Sequence, residues 1–208
     1  MNQSVKRYGV IGIALLLTFS AGVFTGCSKD KKASSAADVS VKENLPDGLK
    51  TAHTVNATGT IEVAFSPKGG GTELVVKAIK EAKKSVQVQA YSFTSSDIAQ
   101  ALVNAKKSGV DVKVILDKSQ ESEKYTSATF LANAGIPVKI DHDFAIAHNK
   151  IMIIDGINVV TGSFNFTKAA EEKNTENVLL MRGNKALADL YVQNWQWRWS
   201  GTEDYKAQ

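Results

Sequence analysis

His148 and Lys150 stand two residues apart in "AHNKIMIID", and Ser163 and Asn165 stand two apart in "TGSFNF". Side chains on an extended strand alternate faces, so the members of each pair point the same way. The run from Ile151 to Ile154 is apolar on both faces, as a buried central strand would be, and it places His148 and Lys150 at the end of a core element. If the two segments pair, four groups meet at one rim. A neutral imidazole is a competent nucleophile or general base. Lysine supplies a point charge for phosphoryl oxygens, while Ser and Asn add neutral donors where negative charge develops. These residue types therefore suit an anion or phosphate site. A lone His before a strand is commonly structural; the matched parity of three further groups is what raises this one above that reading.

No metal set accompanies them. Of the other two histidines, His142 has no ligand spacing relative to His148, and His53 sits in a polar stretch; there is one cysteine, so no cofactor or metal is expected.

Alternating strands and helices must position the rim. "TIEVAF" reads as a strand and "SPKGGG" as a flexible loop whose glycines lack phosphate-loop spacing. Thr72 can cap a helix with an apolar face of Leu74, Val75, Ala78, Ile79 and Ala82. "SVQVQAYSF" alternates as a strand. Ser96 or Asp97 opens a second helix, closed by Ser108-Gly109, and "VDVKVILD" follows as a strand. A third helix is expected from about Glu123 to Asn133, then the short strand "IPVKI". "HNKIMIID" and "NVVTGS" form a hairpin around Asp155-Gly156, "ENVLLMR" is a further strand, and Asn184 caps a last helix to about Trp199. Of Trp195, Trp197 and Trp199, at least one belongs to the core. Lys83-Lys84 and Lys106-Lys107 read as solvated helix ends able to touch phosphate. The class is α/β, with a mixed, largely parallel sheet flanked by helices on both faces, in a single domain.

The chain has 208 residues, 43% hydrophobic and 22% charged, enough for one globular core. Net charge is +4; Lys6 and Arg7 supply two of those charges and no acid precedes Cys27, so the remainder carries +2. That mild balance identifies no nucleic-acid partner by itself. Residues 1–26 combine a basic start, an apolar run from Val10 to Phe24 and small residues before Cys27, the pattern of an export signal. The "FTGC" ending resembles a bacterial lipoprotein signal, in which Cys27 receives lipid; left uncleaved, the run is an anchor. Residues 27–58 are Lys-, Ser- and Ala-rich and read as a tether, with the catalytic domain at 59–208. The expected location is outside the cytoplasm, held to a membrane.

His148-x-Lys150, Asp155 after four intervening residues, then Gly162-Ser163-x-Asn165 resembles the full signature of the phospholipase D superfamily. The likeness runs from about Thr60 to Tyr205 and is strongest to its small single-motif bacterial endonucleases. It implies the phospholipase D/nuclease fold and metal-independent cleavage of phosphodiesters. His148 would form a phosphohistidine, with Lys150, Ser163 and Asn165 on the phosphate oxygens. Glu176, in "NTENVLL", would orient His148, and Asp155 and Gly162 would support the site. A carboxylate before Gly156 also suits the turn alone. In-line displacement needs a nucleophile and a proton donor on opposite sides, and this chain carries one motif. The resemblance therefore implies a homodimer with a shared site. Nuclease action on DNA, and on RNA, is the leading expectation; a phospholipase D acting on glycerophospholipids is the alternative, and a noncatalytic anion-binding module is the third.

Overall fold

The computed structural model describes residues 45–207. The expected signal, Cys27 and the tether up to residue 44 lie outside the described residues. The chain runs β1 (Thr60–Phe65), α1 (Gly71–Glu81), β2 (Ser85–Ala90), α2 (Ser96–Lys107), β3 (Asp111–Asp117), α3 (Ala128–Asn133) and β4 (Val138–Asp141). It continues through β5 (Lys150–Ile154), β6 (Asn158–Gly162), α4 (Lys168–Glu172), β7 (Asn177–Arg182), α5 (Lys185–Gly201) and β8 (Glu203–Asp204).

All eight strands join one sheet in the order β1-β7-β6-β5-β2-β3-β4-β8. The α/β class and the mixed sheet hold. Parallel pairing is confined to β2-β3 and β3-β4, so "largely parallel" describes only the first half. In the second half β5 and β6 form a tight hairpin, and every remaining strand pair is antiparallel. Helices cover both faces. On one, Val75 and Ile79 of α1 and Ile98 and Leu102 of α2 pack on Val86, Val88, Val112 and Val114. On the other, Trp195 of α5 packs on Ile115 and Ile153, and its indole N–H donates to the Val88 carbonyl at 2.9 Å.

Three expectations change in detail. Thr72 lies inside α1, whose N-cap is Gly70 in the left-handed region; the Glu171 carboxylate, far away in sequence, accepts from Gly70 N and Thr72 N at 3.1 and 2.7 Å. The third helix shortens to Ala128–Asn133, because a 3-10 turn (Lys118–Glu121) and an irregular stretch occupy the preceding residues. The end of the expected tether is docked: Asn56 O accepts from Asn184 Nδ2, and Thr58 Oγ1 donates to Gly183 O.

The β5–β6 hairpin is pinned at its tip. Asp155 has φ +56° and accepts from the backbone N–H groups of Lys83, Lys84 and Ser85. Burial pushes this carboxyl up, but the three N–H groups and the Lys84 charge outweigh it and hold it below the usual carboxylate range. A depressed folded-state value contributes stability above the unfolded carboxyl range, lost as pH falls through the folded value. Asp155→Ala should therefore cost about 2 kcal/mol at neutral pH, with the loss shrinking in acid and turnover per folded molecule preserved. Thermal unfolding across pH checks this; an equal loss at every pH would contradict it.

Candidate active site

β5 enters the sheet between β2 and β6, with Ala90 opposite Lys150. The preceding residues hang on this rim: Tyr91 N donates to Asn149 O at 2.8 Å. His148 itself precedes the strand, yet the expected parity survives. The Tyr91 ring lies 4.6 Å from the His148 ring, centroid to centroid, and 5.1 Å from Lys150 Nζ, so both residues lean on the same aromatic platform. Asn149 faces away, towards Asn194 of α5.

His148 is exposed, whereas Lys150 is 7% exposed. Lys150 Nζ donates to His148 O at 2.9 Å, which ties the two residues into one unit. Burial pushes the Lys150 ammonium below the usual lysine range, and the nearby Glu176 carboxylate opposes that push.

The second pair keeps its parity for a visible reason. Phe164 and Phe166 are 1% exposed and point into the core, so Ser163 and Asn165 turn outwards. Phe166 also bridges to Phe93, just past β2, in parallel fashion, which brings this segment to the same end of the sheet as Tyr91. Ser163 Oγ accepts from Asn177 N and Nδ2 at 3.1 and 3.3 Å, leaving its hydroxyl proton to donate outwards. Asn165 Oδ1 is buried with no hydrogen-bond partner among the described residues. Gly162 is needed for close approach: at its φ of +149°, a Cβ would meet Asn177 O at 2.3 Å.

Glu176 is clamped at the C-terminal end of β1. Its N–H donates to Ser66 Oγ, Ser66 N donates back to its carbonyl, both at 3.0 Å, and its carboxylate accepts from Asn174 Nδ2 at 3.1 Å. Among the described residues it makes no hydrogen bond to His148; its charge is felt at Lys150. The rim thus gathers His148, Lys150, Ser163, Asn165 and Glu176, and leaves Asp155 at the far end of β5, about 17 Å away at ~3.4 Å per residue.

Several contributors escaped sequence reasoning. Tyr91 is the platform, and Ser66 and Asn177 hold Glu176 and Ser163. Asp117 Oδ2 accepts from Ala147 N at 2.7 Å and fixes the residue before His148. Arg198, 3% exposed, donates to both oxygens of Asp141 at 2.9 and 2.8 Å and to Asp143 Oδ2 at 3.0 Å, anchoring the loop that leads to His148. Of these, the alternation of "SVQVQAYSF" ending at Tyr91 was the one available signal. His142 pairs with Glu121 at 3.6 Å, and His53 is exposed, so neither joins the site. The "KGGG" loop is tied to Glu171 and lines, with Lys168 and the N-terminal turns of α1 and α2, a polar cleft of about 970 Å³ beside the rim.

An imidazole beside an ammonium and outward-turned amide and hydroxyl groups is an arrangement for phosphoryl transfer. The chain resembles known proteins. Residues 75–199 match the family model described as cardiolipin synthase, phospholipase D-like domain. Phospholipase D of Rickettsia conorii is 42% identical over 198 residues, covering 94% of this chain and 96% of that protein. Phospholipase D of Rickettsia felis is 34% identical over 202 residues, with the same coverages. The crystal structure of Nuc, a phospholipase D family member from Salmonella typhimurium, superposes with a TM-score of 0.69 at 44% identity, covering 71% of this chain and 98% of that one. The family model and these relatives place the chain in the phospholipase D superfamily, as a phosphodiesterase.

Proposed function

We propose that this phosphodiesterase cleaves glycerophospholipids through a phosphohistidine at a homodimer interface. The convergence of His148, Lys150, Ser163, Asn165 and Glu176 on one rim carries the chemistry. For the substrate, the relatives that match over 94% of the chain are named phospholipase D. A local feature agrees: Ile146, two residues before His148, is 57% exposed, and Leu45 is 42% exposed, placing apolar side chains where a lipid interface would lie. This ordering reverses the sequence-based preference for a nuclease. Nucleic acid stays as the second reading, on the likeness to single-motif endonucleases; the polar cleft adds Lys68 and Lys168, but Glu73, Asp97, Glu171 and Glu172 line it too.

In this mechanism one His148 attacks phosphorus, and a P–N bond forms as the bond to the headgroup oxygen breaks. The partner's His148 gives that oxygen its proton. Water then attacks the phosphohistidine, the partner's His148 takes the water's proton, and phosphatidic acid leaves. Lys150, Ser163 and Asn165 hold the non-bridging oxygens.

The second copy has a place to sit. Ile61, Val63 and Phe65 share one face of the edge strand β1 and are 64%, 51% and 64% exposed. β1 runs directly into Ser66, which holds Glu176, so this apolar face is continuous with the rim. Residues 1–27, with Lys6, Arg7 and Cys27, would place the domain outside the cytoplasm on a membrane tether. Among the described residues no helix is long and apolar enough to cross a membrane.

Purified protein offered phospholipid vesicles, plasmid DNA and RNA in EDTA should cleave lipid, and His148→Ala should lower turnover at least about a thousandfold with unfolding unchanged. Complete, metal-reversible loss in EDTA would sink the mechanism, and cleavage of nucleic acid alone would select the second reading. Val63→Glu should give folded, inactive monomers by sedimentation, and heterodimers of wild-type and His148→Ala chains should lack turnover; active monomers or fully active heterodimers would refute the shared site. Glu176→Gln removes the charge that holds the Lys150 proton. The alkaline limb of the pH–rate profile should then move to lower pH, and an unmoved limb would exclude Lys150 as the group that titrates there.

A further inference from the structure

Residues 45–58 form a strap along α5. At the start of that helix Asn56 O accepts from Asn184 Nδ2, and Thr58 Oγ1 donates to Gly183 O. Farther along, Gly48 packs on Gln193, whose Nε2 a Cβ there would meet at 3.0 Å. Leu45 then lines an open groove with Asn194 and Trp197 of α5 and with Phe144, Ile146 and Ala147. Followed from Thr58 back to Leu45, the strap thus travels from the first residues of α5 to its C-terminal half. Those two parts of the helix lie at opposite ends of the sheet. Asn184 comes just after β7, which starts at the rim with Asn177 and ends away from it at Arg182. Trp197 packs edge-on against Phe144, in the loop that leads to His148. The chain therefore enters the domain at the end that holds the phosphate rim.

The same end carries apolar side chains on separate segments. Ile146, in the loop before His148, and Leu45, in the strap, are both exposed. Tyr125, 70% exposed, stands in the loop after β3, a strand parallel to β2 and so also ending at the rim; Lys124 Nζ lies 5.3 Å from its ring centroid. An aromatic with a polar tip, a lysine and two aliphatic side chains suit the boundary between lipid headgroups and acyl chains. The chain itself indicates what covers them. Cys27 lies eighteen residues before Leu45, a span of at most about 60 Å. On the tether reading above, that span confines the domain near a bilayer, and the tether departs from the catalytic end.

We propose that the rim end of the domain docks on the membrane that tethers the chain, with Leu45, Ile146 and Tyr125 seated in the headgroup layer and the 45–58 strap fixing that orientation. The proposal rests on the tether reading and holds whichever diester is cut. Docked in this way, the rim meets phosphates of the bilayer surface without a lipid having to leave it. A two-fold axis along the membrane normal lets both copies dock at once.

The test reconstitutes the full chain into vesicles of phosphatidylcholine and phosphatidylglycerol whose acyl chains carry bromine, a short-range quencher of tryptophan emission. Ile146→Trp and Ile157→Trp put a probe at each end of the domain; Ile157, 38% exposed, sits in the β5–β6 turn. Ile146→Trp should be quenched more than wild type, and Ile157→Trp should not. Equal quenching of the two probes, or quenching of Ile157→Trp alone, would overturn the docking. A chain that does not float with the vesicles would overturn the tether reading and the docking together. Turnover gives a second measurement. Leu45→Ser combined with Ile146→Ser should lower cleavage of vesicle lipid about tenfold and leave hydrolysis of soluble bis(p-nitrophenyl) phosphate unchanged. Equal loss on both substrates, or loss on neither, would also overturn the docking. If wild type cleaves no lipid, the lipid reading falls and the quenching alone decides the docking.

Discussion

The site depends first on the buried pairing of Arg198 with Asp141. Both groups are nearly inaccessible, 3% and 1% exposed, and the contact is two-pronged. Two buried charges are costly to desolvate, and removing one partner strands the other, typically at about 3–5 kcal/mol. The pair therefore acts as a constraint more than a source of stability. It fastens the C-terminal helix to the end of β4, from which the loop to His148 departs. Asp143, Phe144 and Trp197 extend the same clamp along that loop. Asp117 then takes Ala147 N and finishes the positioning. The exposed His148, on an irregular segment, is thus held by groups that are themselves buried, as preorganisation of a nucleophile would require.

The strand after that loop has two unlike ends. At the tip of its hairpin, Asp155 has every reason to stay: three backbone donors satisfy it and its turn geometry suits it. At the other end polar groups are left unsatisfied. Asn165 Oδ1 is bare on the rim side, and Gln89 Oε1 and Trp197 Nε1 are bare on the α5 side. A fourth unpaired group, Arg182 Nη2, sits among ion pairs with Glu62 and Glu81 and belongs to the structural network at the far edge. Local inconsistency gathers where function is expected, and consistency gathers where the fold is being held.

The legible part of the sequence was the part governed by short-range periodicity. Strand parity correctly turned His148 with Lys150 and Ser163 with Asn165, because the alternating Phe164 and Phe166 had to enter the core. Asn184 capped its helix as expected, since its partner, Leu187 N, lies three residues away. The misses share the opposite cause. Glu171 caps α1 from about a hundred residues downstream, displacing Thr72 from that role. Tyr91, Ser66 and Asn177 serve the site through contacts between strands remote in sequence. The docked stretch 45–58 looked like tether because its hold is by backbone carbonyls and isolated side chains, which leave no periodic trace.

Glu176 shows why a half-site has to be judged as one. Within a single chain its carboxylate reaches Asn174 and acts on Lys150 by charge alone. Lys150 is buried enough to lose affinity for its proton, so a fixed carboxylate nearby keeps the cation charged without lying between it and a phosphate. That arrangement sets a cation for ground-state and transition-state oxygens alike. It supplies no proton to a leaving group. The one imidazole at the rim cannot occupy both ends of an in-line displacement, whatever its orientation. The apolar face of β1, continuous with the residue that clamps Glu176, is where the fold leaves room for the missing half. Geometry at phosphorus and the unburied sheet edge thus both favour the proposed second copy of the chain.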